Sequence, residues 1–307
     1  MRRFLITGGA GFIGSHLHDA LRGVGASVRI LDDFSTGKRS NLPADAEIMA
    51  GDVADPQTMH AALDGMDGCF HLAAIASVER STNEWLATHR TNLTGTITVF
   101  ETIWRLGTRI PVIYASSAAV YGDVKTLPIS ELAPKHPLSA YGADKFGCEL
   151  HAAIASQIHG IPTVGLRFFN VYGPRQDPRS PYSGVISIFC QRVLAGQSVT
   201  IHGDGEQTRD FIYVGDVVAV LMAAMRLLPK AAVFNVCTGQ ATSIGTLANT
   251  IMRLAGQQTS IEYSEARRGD IRHSIGSPGN MQSALGPIEP TSIDDGLQQV
   301  LTWLRAT

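Results

Sequence analysis

Tyr141 and Lys145 lie four residues apart in Ser139-Ala140-Tyr141-Gly142-Ala143-Asp144-Lys145-Phe146. On a helix, residues at that spacing share one face, one turn apart. An ammonium near a phenol favours the phenolate, because an opposite charge stabilises the ionised form. A tyrosine that can release its proton near neutral pH is a usable general base. The pair alone also fits an ordinary solvated helix face. Its setting adds weight: a serine pair, Ser116 and Ser117, stands upstream, and a glycine-rich segment opens the chain.

That segment is Gly8-Gly9-Ala10-Gly11-Phe12-Ile13-Gly14. An apolar run, Arg3 to Thr7, precedes it and reads as a buried parallel strand; a helical stretch, Ser15 to Arg22, follows. In this context Gly8 allows a tight turn, Gly11 lets a diphosphate approach the backbone, and Gly14 lets the helix pack closely on the strand. The helix N-terminus offers unpaired N–H groups to phosphate. A second apolar run, Val28 to Leu31, ends in Asp32-Asp33, where a carboxylate meets a ribose 2′-hydroxyl in dinucleotide folds. Asp32 would repel a 2′-phosphate, so NAD is expected rather than NADP. Lys38 and Arg39 follow closely and pull the other way, and Asp32 could instead cap a loop.

The elements that must position these residues alternate. Strands are expected at Phe4–Thr7, Val28–Leu31, Glu47–Ala50, Gly68–Leu72, Val112–Ser116 and Thr163–Phe168. Helices are expected at Ile13–Arg22, Pro56–Leu63, Trp85–Leu106 and Ala140–His159. This alternation predicts an α/β protein with a doubly wound parallel sheet, a Rossmann fold, binding its ligand at the carboxyl edge. After Tyr172 the alternation fails. Gln176 to Gly184 reads as a Pro- and Ser-rich loop, followed by a helix at Val185–Ala195 and a strand at Ser198–His202. Strands are expected at Arg209–Tyr213 and Val233–Cys237, with helices at Val217–Leu228 (Asp216 as its N-cap), Thr246–Ala255 and Ile293–Arg305. The predicted division is an NAD-binding unit over 1–172, to which 209–239 returns. A smaller α/β substrate-binding cap covers 173–208 and 240–307.

Composition sets outer limits. A chain of 307 residues, 44% hydrophobic and 17% charged, suits a soluble globular enzyme. A net charge of −2 gives no pull toward nucleic acid. No apolar run is long enough to span a bilayer, and the first strand leaves no room for a signal peptide, so no membrane partner is expected. Cys69, Cys148, Cys190 and Cys237 are scattered, which suits reduced thiols and a cytoplasmic location. The ten histidines are scattered too, and no metal site is expected.

The ordered motifs resemble the extended short-chain dehydrogenase/reductases, and most closely the nucleotide-sugar 4-epimerases of the UDP-galactose and UDP-N-acetylglucosamine type. The resemblance runs from Thr7–Gly14 through Gly51-Asp52-Val53, His71-Leu72-Ala73-Ala74, Asn92–Thr96, Ser116–Gly122 and Arg167–Pro174 to the region of Arg267–Ser274. It implies that Ser117 is the catalytic hydroxyl, Tyr141 the base and Lys145 its partner. It further implies NAD contacts from Gly8, Gly11, Phe12, Ile13 and Gly14. Asp32, Asp33, Phe34, Ser35, Thr36 and Gly37 would follow along the adenosine. Asp52 and Val53 would flank the adenine. Leu72, Ala73, Ala74 and Ala76 would run along the diphosphate and nicotinamide ribose, supported by Asn92. Ser116, Phe168 and Phe169 would complete the nicotinamide end, although a strand-end turn for the serines and core packing for the phenylalanines are competing readings. Asn170, Val185, Arg209, Asp270 and Ser274 would hold the UDP-sugar. A salt bridge from Arg209 to Asp210 or Asp216 is an alternative, as is a turn-capping role for Asp270 after Gly269.

The implied reaction is reversible oxidation at C4 through a transient 4-keto sugar. The loop after the serines, Ala118-Ala119-Val120-Tyr121, lacks the acidic pair that dehydratase relatives use, which disfavours dehydration and leaves a decarboxylase or 4-keto reductase open. Ser274 stands where bulk would limit the sugar 2-substituent, so N-acetylated sugars are expected to fit. The resemblance also implies a homodimer joined through Trp85–Leu106 and Ala140–His159.

Overall fold

The computed structural model describes residues 2–178, 184–228, 232–266 and 270–307. Residues 179–183 of the expected loop, and Arg267, Arg268 and Gly269, lie outside the described residues. In chain order the strands are β1 (Arg3–Thr7), β2 (Ser27–Asp32), β3 (Glu47–Ala50), β4 (Gly68–His71), β5 (Val112–Ser117), β6 (Thr163–Phe168) and β7 (Asn170–Tyr172). They continue as β8 (Val199–His202), β9 (Thr208–Arg209), β10 (Phe211–Tyr213), β11 (Ala232–Val236), β12 (Thr242–Ser243), β13 (Ile261–Ser264) and β14 (His273–Ser274). The helices are α1 (Phe12–Gly23), α2 (Pro56–Leu63), α3 (Val78–Asn83), α4 (Trp85–His89), α5 (Gly95–Arg105) and α6 (Ala140–His159). After them come α7 (Val185–Leu194), α8 (Val214–Leu227), α9 (Ile244–Ala255), α10 (Gly279–Leu285) and α11 (Ile293–Ala306).

Seven strands form one parallel sheet in the order β3-β2-β1-β4-β5-β6-β11. The order reverses between β1 and β4, which opens a crevice at their carboxyl ends. Every residue of β6 is buried, as a strand covered on both faces requires. On one face Leu17 and Leu21 of α1 and Val217 and Leu221 of α8 pack against Ile6, Ile30 and Phe70. On the other, Met59 and Leu63 of α2, Val99 and Ile103 of α5 and Ala152 of α6 cover Leu5, Leu31 and Val112. Each such side chain gains roughly 1.5–3 kcal/mol on burial, so Leu17 and Leu21 easily offset the ~0.5–1 kcal/mol that Gly14 costs helix α1. A separate apolar cluster joins α7, α9 and α11 with β8, through Phe189, Val193, Ile201, Leu247, Ile251, Leu297 and Leu301.

Helix α6 starts where Ser139 accepts a hydrogen bond from the Gly142 N–H at 3.1 Å, and it stops at Gly160, whose φ of 66° suits glycine. Between these caps Lys145, Cys148, Glu149, Ala152 and Ala155 form its buried stripe.

Several expectations are corrected. The single helix expected over Trp85–Leu106 is interrupted by a π turn at Arg90–Thr94, between α4 and α5. The Asn92 carbonyl there accepts from the Thr96 hydroxyl at 2.7 Å and the Cys148 thiol at 3.3 Å, a set of partners that periodicity does not show. The strand expected over Arg209–Tyr213 breaks at Asp210, leaving β9 in a three-stranded sheet with β12 and β14 and β10 paired with β7. At the break the chain changes neighbours: the Asp210 N–H donates to the Ser274 carbonyl and its carbonyl accepts from the Asn170 N–H, while its buried carboxylate accepts from the Thr238 N–H and hydroxyl, the Gly239 N–H and the Gly276 N–H. Asp216 is not an N-cap. Helix α8 begins at Val214, and Asp216 instead accepts from the Thr291 N–H and hydroxyl, both at 2.8 Å. Ser243 caps α9, which therefore begins at Ile244. Elements α3, α10 and β13 carry no strong sequence signal.

Candidate active site

A cavity of about 510 Å³ follows the carboxyl ends of β1, β2, β4, β5 and β6. Its nucleotide end is walled by Gly8, Gly11, Phe12, Ile13 and Gly14. Gly8 has φ 70°, and a Cβ there would stand 2.7 Å from the Ala73 nitrogen. A Cβ on Gly14 would meet the Gly8 carbonyl oxygen at 2.3 Å. The loop therefore folds onto itself and onto the β4 end only because side chains are missing, leaving a backbone cradle at the α1 N-terminus that fits a diphosphate.

Asp32, Asp33, Ser35 and Thr36 form the next stretch of wall. Asp32 accepts from the Ala10 and Phe34 N–H groups, both at 2.9 Å, and burial, opposed by these bonds, holds its carboxyl above the usual carboxylate range. Asp33 accepts from the Ser35 N–H and hydroxyl. Phe34 packs against the core, and Gly37 backs onto Asp32, where a Cβ would lie 2.7 Å from the carboxylate. Neither Phe34 nor Gly37 is on the cavity wall. The two basic residues that pull toward a 2′-phosphate both have protein partners, Lys38 on the cavity wall itself. Lys38 pairs with Asp177, and Arg39 donates to the carbonyls of Leu42, Pro43 and Ala44.

Val53 reaches the wall, whereas Asp52 lies off it and pairs with Arg90 at 2.8 Å. Leu72, Ala73, Ala74 and Ala76 line the middle. Asn92 lies behind them, its side chain accepting from the Ile75 N–H at 2.8 Å and donating to the Ile75 carbonyl at 3.2 Å. His71 is buried between the Thr7 and Thr96 hydroxyls, at 2.8 and 2.9 Å. Burial, helped by the Lys145 charge, pushes the imidazole down to about 3, so His71 stays neutral.

Ser116, Ser117, Tyr141 and Lys145 meet on this wall together with Phe168, Phe169 and Asn170. The Lys145 ammonium donates to the Ala115 carbonyl at 2.9 Å and lies 5.9 Å from the Tyr141 ring centroid. Ser117 also serves the turn, its hydroxyl accepting from the Ala119 N–H at 3.1 Å. Ser116 turns its hydroxyl away from the cavity, to Glu149 at 2.5 Å. Phe168 and Phe169 are core and wall at once.

The expected sugar-nucleotide residues are divided. Asn170 is on the wall; Val185, Arg209, Asp270 and Ser274 are not. Arg209 is ion-paired with Asp270, not with Asp210 or Asp216. Ser274 belongs to β14, and its carbonyl accepts from the Asp210 N–H at 2.9 Å. Residues the motifs passed over also line the cavity, among them Asn41, Arg80, Arg175 and Gln176. Arg175 stands three residues after Tyr172 in the Asn170–Pro174 motif and carries a positive φ of 67°, a position that the preceding glycine and proline could have flagged. Glu149 and Arg167 were also missed; Glu149 is one turn beyond Lys145 on the Tyr141 face.

Comparison with known proteins accounts for this arrangement. Residues 4–237 match the model of the NAD dependent epimerase/dehydratase family. A UDP-glucose 4-epimerase of Mycolicibacterium smegmatis is 33% identical over 309 residues, covering 99% of this chain and 98% of the relative. The crystal structure of a Thermotoga maritima UDP-glucose 4-epimerase with UDP-glucose superposes with a TM-score of 0.95 at 36% identity, covering 99% of each chain. A UDP-N-acetylglucosamine 4-epimerase from Methanobrevibacter ruminantium, in complex with UDP-N-acetylmuramic acid, gives 0.94 at 34% identity, covering 99% of this chain and 98% of the other.

Proposed function

The chain belongs to the NAD dependent epimerase/dehydratase family, and from that membership we propose that it is a UDP-sugar 4-epimerase whose acid–base group is Tyr141. The observation that carries this reading is a single cavity that holds the glycine cradle, Asp32 and the Ser117–Tyr141–Lys145 group together. Tyr141 takes the proton from the sugar 4-hydroxyl. Ser117 donates a hydrogen bond to the oxygen as negative charge develops there. Lys145, anchored on the Ala115 carbonyl, supplies positive potential beside the phenol ring. His71, held neutral, adds no second cation and does not compete as a base. The glycine cradle with Asp32, Ala73 and Ala74 would hold NAD, which would supply a reversible hydride acceptor for C4. Tyr141 then gives the proton back, and inversion follows if the keto sugar presents its other face, so the nucleotide is the anchored part of the substrate and the sugar the mobile part.

The turn at Ala118–Val120 carries no acid, which supports epimerisation over the dehydration that other members perform. Arg209, Asp270, Asn170, Val185 and Ser274 are assigned to the UDP-sugar; for Arg209 this requires the ion pair with Asp270 to open when a diphosphate arrives. The small Ser274 supports UDP-GlcNAc/UDP-GalNAc as substrates, with UDP-Glc/UDP-Gal also accepted. The separate apolar cluster under α7, α9 and α11 supports division into an NAD-binding unit, 1–172 with 209–239, and a nucleotide-sugar unit, 173–208 with 240–307. Leu150, Ile154 and Ile158 form an exposed apolar stripe on α6, near exposed Trp85, Leu86 and Trp104, which supports a homodimer. Four free, buried cysteines fit a cytoplasmic protein.

Incubation with a panel of nucleotide sugars, read by separation of C4 epimers, tests the function. Interconversion of at least one UDP-hexose pair, lost in Tyr141→Phe, is expected. Absence of an inverted product from every UDP-hexose overturns it.

A further inference from the structure

Behind the cavity lies a buried polar chain that the reaction above does not use. The Arg167 guanidinium of β6 donates to both Glu149 carboxylate oxygens, at 2.8 and 2.7 Å, and these side chains are only 4% and 6% exposed. Arg167 also donates to the Tyr121 hydroxyl at 2.6 Å, and Tyr121 in turn donates to the Asn235 side chain of β11. Glu149 has one more bond to accept, and it comes from the Ser116 hydroxyl.

The placement of these groups is informative. Tyr141, Lys145 and Glu149 are successive turns of one face of α6. Ala115, Ser116 and Ser117 are the last three residues of β5. Lys145 grips the carbonyl of the first, Glu149 grips the hydroxyl of the second, and the third faces the cavity near Tyr141. The helix carrying the base is thus fastened to the strand carrying the hydroxyl at two heights. Arg167 holds Glu149 in a bidentate fork, which leaves its carboxylate little freedom to rotate.

We propose that Glu149, through Ser116, is a positioning residue for the reaction: it fixes the register of α6 on β5 and so the separation of Tyr141 from Ser117. The proposal rests on the reading of Tyr141 and Ser117 as the reacting pair. A misplacement of about 1 Å at such a pair can cost on the order of a hundredfold in rate.

Ser116→Ala tests it, because it removes the tie to β5 and leaves the Glu149–Arg167 pair intact. The expected result is a roughly ten- to hundredfold fall in kcat, with KM for the nucleotide sugar, bound NAD and melting temperature close to wild type. Ser116→Thr, which restores the hydroxyl, should recover most of the loss. A purely structural role would move the melting temperature and leave no kcat-specific loss for threonine to rescue. Should Ser116→Ala not fold, Ser116→Cys reads the same quantity, since the thiol fills the space as a much weaker donor and leaves the Glu149–Arg167 pair untouched. A kcat near wild type in the folded variant, with Tyr141→Phe inactive, overturns the positioning role alone. Activity retained in Tyr141→Phe overturns the reaction assignment beneath it.

Discussion

Two arginine–carboxylate pairs of the molecule differ in almost every physical respect. Arg167 and Glu149 are 4% and 6% exposed, bidentate, and tied into a chain that crosses from β5 through β6 to β11. Arg209, on the short strand β9, and Asp270 are 15% and 35% exposed and meet through one guanidinium nitrogen. Burial alone would depress the Arg167 guanidinium, but its bonds and attraction to Glu149 more than offset that and raise it. A pair built in this way is part of the fold and does not exchange partners. A pair like Arg209–Asp270 costs little to open, and a diphosphate can take the guanidinium in its place. The region proposed for the chemistry is thus fixed in advance, and the region proposed to bind the nucleotide is held by contacts that a ligand can replace.

Substitutions on the two sides should separate rate from binding. The largest effect is expected for Tyr141→Phe, which should lower kcat by about 10²–10⁴-fold while leaving the melting temperature unchanged, as steady-state kinetics and calorimetry can check. Next is Glu149→Ala, which strands a buried guanidinium and should cost roughly 3–5 kcal/mol in denaturant unfolding. If it costs no more than an exposed pair would, the contrast drawn above disappears. Arg209→Ala should change stability by only about 0–1 kcal/mol while raising KM for UDP-sugar and sparing kcat. A kcat-only defect there would remove Arg209 from the binding side.

Acid titration sharpens the same contrast. His71 is neutral in the fold until about pH 3, whereas the unfolded imidazole takes up its proton near 6.5. The unfolded state binds more protons between those values, so stability should fall steadily as pH drops from about 6.5 toward 3. The smallest effect is expected for Asp204. Its hydrogen bonds to Arg272 hold its carboxyl down to about 2, against an ordinary 3.8. Its slight contribution is therefore present above pH 3.8 and lost as pH falls through about 2. Arg272→Ala should flatten only that last acid limb.

Legibility in the sequence follows the range of the interactions involved. The glycine loop, the alternation around it and the Tyr141–Lys145 spacing are local, and the sheet appears where the apolar runs place it. The acidic N-cap expected at Asp216 fails because its partner, Thr291, lies 75 residues away. Arg209 is paired with Asp270, 61 residues on, although Asp210 stands beside it and is consumed by backbone groups from two other segments. Glu149 reads as one more charge on a helix until Arg167 is brought under it by β6. The nucleotide half of the cavity is written in short motifs, and the polar chain behind it is written in the topology.

The π turn at Arg90–Thr94 shows how little sequence can decide the shape of the cofactor wall. One extra residue in a helical turn swings everything beyond it by about 100°. Deleting a single residue there would let α4 and α5 merge into one unbroken helix, but it would carry the Asn92 amide around the axis and away from Ile75. The loop from Leu72 to Ala76 would then lose the side chain that mimics a neighbouring strand for it, and the surface facing the dinucleotide would have nothing solid at its back.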